Sequence, residues 1–70
     1  MKRRSVNSSK IHTVAYDMEN KLLEIEFQQR DIYRYQHVPL TVFHRLMAAE
    51  SKGQFFAENI RHHYPANRIG

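Results

Sequence analysis

Leu23, Ile25 and Phe27 alternate with Glu24, Glu26 and Gln28, and this strict period of two constrains the chain more than any other feature. Such alternation describes a strand with one buried and one wet face. Residues 11–17 (IHTVAYD), rich in β-branched and aromatic side chains, precede it across Met18, Glu19, Asn20 and Lys21, a connection of hairpin length. If Asp17 and Leu22 close that hairpin, Tyr16 faces Leu23, Val14 faces Ile25 and His12 faces Phe27. A third strand, residues 32–37 (IYRYQH), follows Gln29, Arg30 and Asp31. Closing this second hairpin at Gln28 and Ile32 puts Tyr33 and Tyr35 on the apolar face. It also sets Arg34 opposite Glu26 on an outer face shared with Thr13, Ala15, Glu24 and Gln36, whereas a slip of one residue would bury Arg34.

Val38-Pro39 ends the sheet, because a residue before proline is held extended and Pro39 suits a first helical turn. Val42, Phe43, Leu46, Met47 and Ala49 then form an amphipathic stripe. Ser51-Lys52-Gly53 breaks it, with Gly53 expected at positive φ as the stop of the first helix. A second helix over residues 54–62 uses Phe55, Phe56 and Ile60, and Tyr64-Pro65 closes it. The expected fold is α+β: a three-stranded antiparallel β-meander followed by two short helices packed on one face, in the order β-β-β-α-α.

Seventy residues without cysteine allow one domain and no disulfide. A chain of this size buries only about 60% of its unfolded surface, so self-association is a natural supplement to its core. No run approaches the roughly 18 to 20 apolar residues of a membrane span. The basic start at Lys2, Arg3 and Arg4 leads into Ser5, Asn7, Ser8 and Ser9 rather than an apolar signal core, so a cytoplasmic protein with no membrane partner is expected. The formal charge of +4 is unevenly placed. Residues 1–10 hold four bases and no acid, residues 11–31 hold two bases and five acids, and residues 32–70 hold five bases and two acids. This divides the chain into a basic N-terminal arm (1–10), a folded domain (11–64) and a C-terminal tail (65–70), and favours an anionic partner.

The segments V-N-S-S-K-I (6–11), A-Y-D (15–17), L-E-I-E-F (23–27), Y-R-Y-Q-H-V-P (33–39) and A-E-S-K-G-Q-F-F with I-R (49–61) together resemble the KTSC domain. That short module stands alone in bacterial and phage proteins and also ends some lysyl-tRNA synthetases. The resemblance covers residues 6–64, so the folded segment reads as a KTSC-like domain. It implies no catalytic activity, and the synthetase fusion suggests RNA binding by association. The sequence departs from the family pattern at Arg30 and Ala15, where glycine is usual, at Gln36, where an aromatic is common, and at Ala57, where asparagine is frequent.

Two tyrosines at i and i+2, Tyr33 and Tyr35, could stack successive bases. The register instead favours them as core residues beneath the helices. Candidate phosphate contacts lie on a basic rim: Lys2, Arg3, Arg4, Lys10, Lys52, Arg61 and Arg68, with Ser8, Ser9 and Ser51 as hydroxyl donors and Gly53 beside them. Ser51-Lys52-Gly53 opens a helix, where free N–H groups attract anions, although Ser51 as a cap and Gly53 as a stop explain the same residues. Ser8-Ser9 similarly reads as a phosphate contact or as a turn. Five histidines without cysteine or a His-Glu-x-x-His spacing give no metal site. No nucleophile–base pair, inward carboxylate pair or phosphate-cradling loop is visible, so neither catalysis nor a cofactor is expected. The expected function is a small non-catalytic module binding tRNA or single-stranded RNA, with a protein partner or homodimer through a sheet face or edge as the alternative.

Overall fold

A computed structural model describes residues 1–70, and its sheet has five strands where the sequence predicts three. The order along the chain is β1 (Arg3–Ser5), β2 (Ile11–Asp17), β3 (Leu22–Phe27), β4 (Ile32–Tyr35), α1 (Leu40–Ala48), α2 (Lys52–Asn59) and β5 (Ala66–Arg68). Every neighbouring pair is antiparallel and the spatial order is β1-β2-β3-β4-β5. Both sequence ends therefore join the sheet: β1 covers the free edge of β2, and β5 covers that of β4. These outer strands have three residues each, are exposed and lack alternation, so they carry no hydrophobic signal a reader of the sequence could use.

The first hairpin keeps the expected register, with Tyr16 against Leu23 and Val14 against Ile25. It departs at its open end, where a bulge at His12 brings Ile11 rather than His12 opposite Phe27 and leaves Ile11 fully buried. The second hairpin is shifted by two residues from the expectation. Arg34 faces Glu24, not Glu26, because the Phe27 N–H donates to the Asp31 carbonyl and closes the turn one pair earlier. Arg30 takes a φ of +83° in that turn, the conformation glycine adopts freely, which accounts for glycine being usual there. A shift of two preserves the side-chain face, so Tyr33 and Tyr35 remain inward.

The helices cover the apolar face. Tyr16 stacks on Phe43 of α1 with ring centres 4.8 Å apart, and its hydroxyl donates to the Val38 carbonyl. Phe56 of α2 meets Phe27 at 5.2 Å and Tyr35 at 5.5 Å in edge-on contacts. Around them Ile11, Val14, Leu23, Ile25, Val38, Leu46 and Ile60 are wholly buried. The junction between the helices differs from expectation. α1 ends at Ala49 in extended geometry, Ser51 caps α2 by accepting from the Gln54 N–H at 3.2 Å, and Gly53 lies inside α2 without positive φ. Ser51 starts the second helix so early that no glycine stop is required. At its far end α2 stops at Asn59, short of residue 62, and the chain reverses through His62 at φ +71° toward β5.

Candidate functional site

The outer sheet face accounts for the first of the predicted cations. Arg3 on β1, Glu24 on β3 and Arg34 on β4 form one row, with Glu24 accepting from Arg3 Nη2 at 2.7 Å and from Arg34 Nε and Nη2 at 3.0 and 2.9 Å. Thr13 links the row to Glu26, donating from its hydroxyl to Glu26 Oε1 at 3.0 Å. Two arginines offset two glutamates, so this face is polar but neutral, not acid-rich as residues 11–31 alone suggest. Arg68 is likewise occupied, donating from Nη2 to Asp31 at 2.9 Å and from Nε to the Gly70 carbonyl at 3.1 Å.

The serines are engaged by local backbone. Ser8 Oγ accepts from the Lys10 and Ile11 N–H groups at 3.3 and 3.2 Å and shapes the entry to β2. Ser51 is the α2 cap, and Lys52 Nζ donates to the Ala49 carbonyl at 3.0 Å. Lys2 and Arg4 lie exposed at the β1 end of the sheet.

Ser9, Lys10, Gly53 and Arg61 come together with both tyrosines. They line a cleft of about 510 Å³ between the sheet and α2. On the sheet side stand Phe27, Tyr33 and Asp31; on the α2 side Lys10 lies against Gly53, and the Arg61 guanidinium sits 5.3 Å from the centre of the Phe56 ring. A Cβ placed on Gly53 would be 3.4 Å from the Lys10 side chain, so the loop before β2 packs directly on the first turn of α2. Neither Lys10 nor Arg61 belongs to an ion pair, the three pairs being Arg3–Glu24, Arg34–Glu24 and Arg68–Asp31.

The two tyrosines differ in accessibility. Tyr35 is only 6% exposed beneath the cleft, whereas Tyr33 is half-buried and lies 6.1 Å from Phe27 in an edge-on contact. Burial pushes the Tyr35 hydroxyl up to about 12, with Arg61 pulling the other way and Tyr33 adding to the rise. It is therefore a neutral hydroxyl at physiological pH. A second depression of about 460 Å³ adjoins the first across Lys10 and Gly53 and includes Glu50 and Ser51. No group of three His, Cys, Asp or Glu side chains is placed to hold a metal ion, and no helix is long and apolar enough to cross a membrane.

Sequence reasoning missed Phe27, Phe56 and Asp31 as cleft residues. The F-F pair at 55–56 signals a helix face, but only the packing of α2 on the sheet shows that Phe56 floors a cleft.

Known proteins place the chain firmly. A protein of Tsukamurella paurometabola is 42% identical over 50 residues, covering 71% of this chain and 75% of that protein. An uncharacterized protein of Stutzerimonas stutzeri is 39% identical over 70 residues, covering 99% of each. The crystal structure of a KTSC domain protein from Yersinia pestis superposes with a TM-score of 0.96 at 38% identity, covering 99% of this chain and 97% of its own. The family model for the KTSC domain matches residues 7–64. With the resemblance in its sequence segments matched by this agreement in fold, the chain belongs to the KTSC domain family.

Proposed function

We propose that this protein is a non-catalytic binding module for single-stranded RNA, and that the Lys10–Arg61 cleft is its contact surface. The observation that carries the reading is that Lys10 and Arg61, neither of them in an ion pair, line the same aromatic-walled cleft. Phosphate contacts supply most nucleic-acid affinity, and exposed rings supply stacking that tolerates any base. The broad rim read from the sequence narrows on this view, because Arg3 and Arg68 already hold carboxylates while Ser8 and Ser51 hold backbone. A protein partner has less support. The sheet edges are only three residues long and carry Arg3, Arg4 and Arg68, features that oppose strand addition.

Fluorescence anisotropy with a labelled single-stranded RNA, a tRNA and a duplex at about 50 and 200 mM salt tests the reading. The expected result is salt-sensitive binding that favours the single strand over the duplex. Absence of binding to every RNA at the lower salt refutes it.

A further inference from the structure

We infer that the cleft is a one-nucleotide subsite that takes a single unstacked base together with its phosphate, a deepening that rests on the RNA-binding reading above. A volume of about 510 Å³ lies within the range of small-molecule sites, roughly 300 to 1,000 Å³, and the adjoining depression is lined by no aromatic ring on which a further base could stack. The ring surface is equally limited. Tyr35 and Phe56 are 6% and 3% exposed, so Phe27 and Tyr33 alone, both half-buried, present rings to an occupant. The uncovered sheet face carries Arg3, Thr13, Glu24, Glu26 and Arg34 in a closed hydrogen-bond network and continues no stacking platform from the cleft.

Charge orients the occupant. The two cations of the cleft stand along α2, Lys10 against Gly53 near its start and Arg61 over Phe56 beyond its end. The opposite wall carries Asp31, whose carboxylate is already held by Arg68, so that wall supplies no unpaired lining cation to an anion. A phosphate therefore belongs on the α2 side and an uncharged base on the side of Phe27, Tyr33 and Asp31. A bare anion would leave the aromatic wall unused, and a neutral nucleoside would leave both cations unused.

The ligand chemistry is that of a nucleoside monophosphate, whether free or as one unit of a strand. Titrating the ¹⁵N-labelled full chain with AMP, adenosine, inorganic phosphate and a short oligoadenylate, read by amide shifts, separates these cases. AMP should shift the amides of Lys10, Tyr33, Gly53 and Arg61 and bind at least tenfold more tightly than adenosine or phosphate. Lys10→Gln and Arg61→Gln, which keep the aliphatic stems, should each weaken AMP severalfold, and Tyr33→Leu should weaken AMP and adenosine alike. Phosphate binding as tightly as AMP, or shifts confined to residues outside the cleft, overturns the inference. Oligoadenylate binding that leaves the cleft amides unmoved overturns it too, while sparing the RNA reading. AMP binding in the cleft with no gain for the oligoadenylate supports the subsite as a free-nucleotide site and removes the RNA reading instead.

Discussion

Replacing Glu24 with alanine should remove more stability than any other single change on the outer sheet face. The Glu24 side chain is 7% exposed and accepts three hydrogen bonds from two arginines, one on either side of its strand. Removing one partner from a fully buried ion pair costs about 3 to 5 kcal/mol, while exposed pairs contribute about 1 kcal/mol or less. This site lies between those limits, because the Arg3 and Arg34 side chains are 35% and 40% exposed and can recover water once released. A loss of about 2 to 3 kcal/mol follows for Glu24→Ala. For a chain of 70 residues with about 0.05 to 0.15 kcal/mol of stability per residue, that is about a fifth or more of the total. Urea unfolding followed by circular dichroism should show the midpoint falling by roughly 2 to 3 M at an unchanged slope of about 1 kcal/mol/M. Glu24→Gln, which retains one acceptor oxygen, should fall between the two proteins. Hydrogen exchange in Glu24→Ala should speed up first in β1, because Arg3 is the side-chain tie between that three-residue strand and β3. A change below about 0.5 kcal/mol would mean that the row behaves as solvated surface charge, and the argument would fail.

Three further outcomes follow from backbone geometry and burial. Tyr35, with its hydroxyl pushed up from 10.0 to about 12, should contribute stability that is complete below pH 10 and lost as pH rises from 10 to 12, on the order of 2 kcal/mol. The difference in phenolate absorbance between the parent protein and Tyr35→Phe should then isolate an ionisation well above pH 10, and a difference curve centred near pH 10 would count against it. Arg30→Gly should raise the thermal midpoint by a few degrees, since a left-handed φ costs a side-chain-bearing residue about 1 to 2 kcal/mol and glycine returns about half of that as chain entropy. A lower midpoint would show that the Arg30 side chain stabilises the turn. Gly53→Ala should be neutral or stabilising by about 0.5 kcal/mol, because φ is not positive and the new methyl meets Lys10 at ordinary contact distance. Calorimetric destabilisation above about 1 kcal/mol would contradict that placement of Gly53.

The parts of the fold legible in the sequence are those with a repeating apolar signal. The alternation at Leu23, Ile25 and Phe27 announces β3 and the face it buries, and the stripe at Val42, Phe43, Leu46 and Met47 announces α1. β1 and β5 are illegible because three exposed residues such as Arg3, Arg4 and Ser5 have no periodicity, and what holds them is backbone pairing together with long-range ties such as Arg3–Glu24 and Arg68–Asp31 that leave no local pattern. The second hairpin was half legible. The side-chain faces came out right, since a shift of two preserves them, whereas the pairing of Arg34 with Glu24 depended on turn geometry at Arg30 that residue identity conceals. The candidate site follows the same division. Lys10, Arg61, Tyr33 and Gly53 could each be picked out by type, but their gathering around one cleft requires the contact of the residue-10 loop with α2, a long-range fact with no local signature.

The central claim is that Lys10 and Arg61 make the cleft a nucleic-acid contact. Its most direct test is anisotropy of a labelled single-stranded RNA against the parent protein and the double variant Lys10→Gln/Arg61→Gln, with Lys2→Gln as a charge control outside the cleft, at about 50 and 200 mM salt. The account predicts a loss of at least tenfold in the double variant, a reduced salt slope, and an affinity close to that of the parent for Lys2→Gln. Equal affinities for the parent protein and the double variant, with circular dichroism showing both folded, would contradict it.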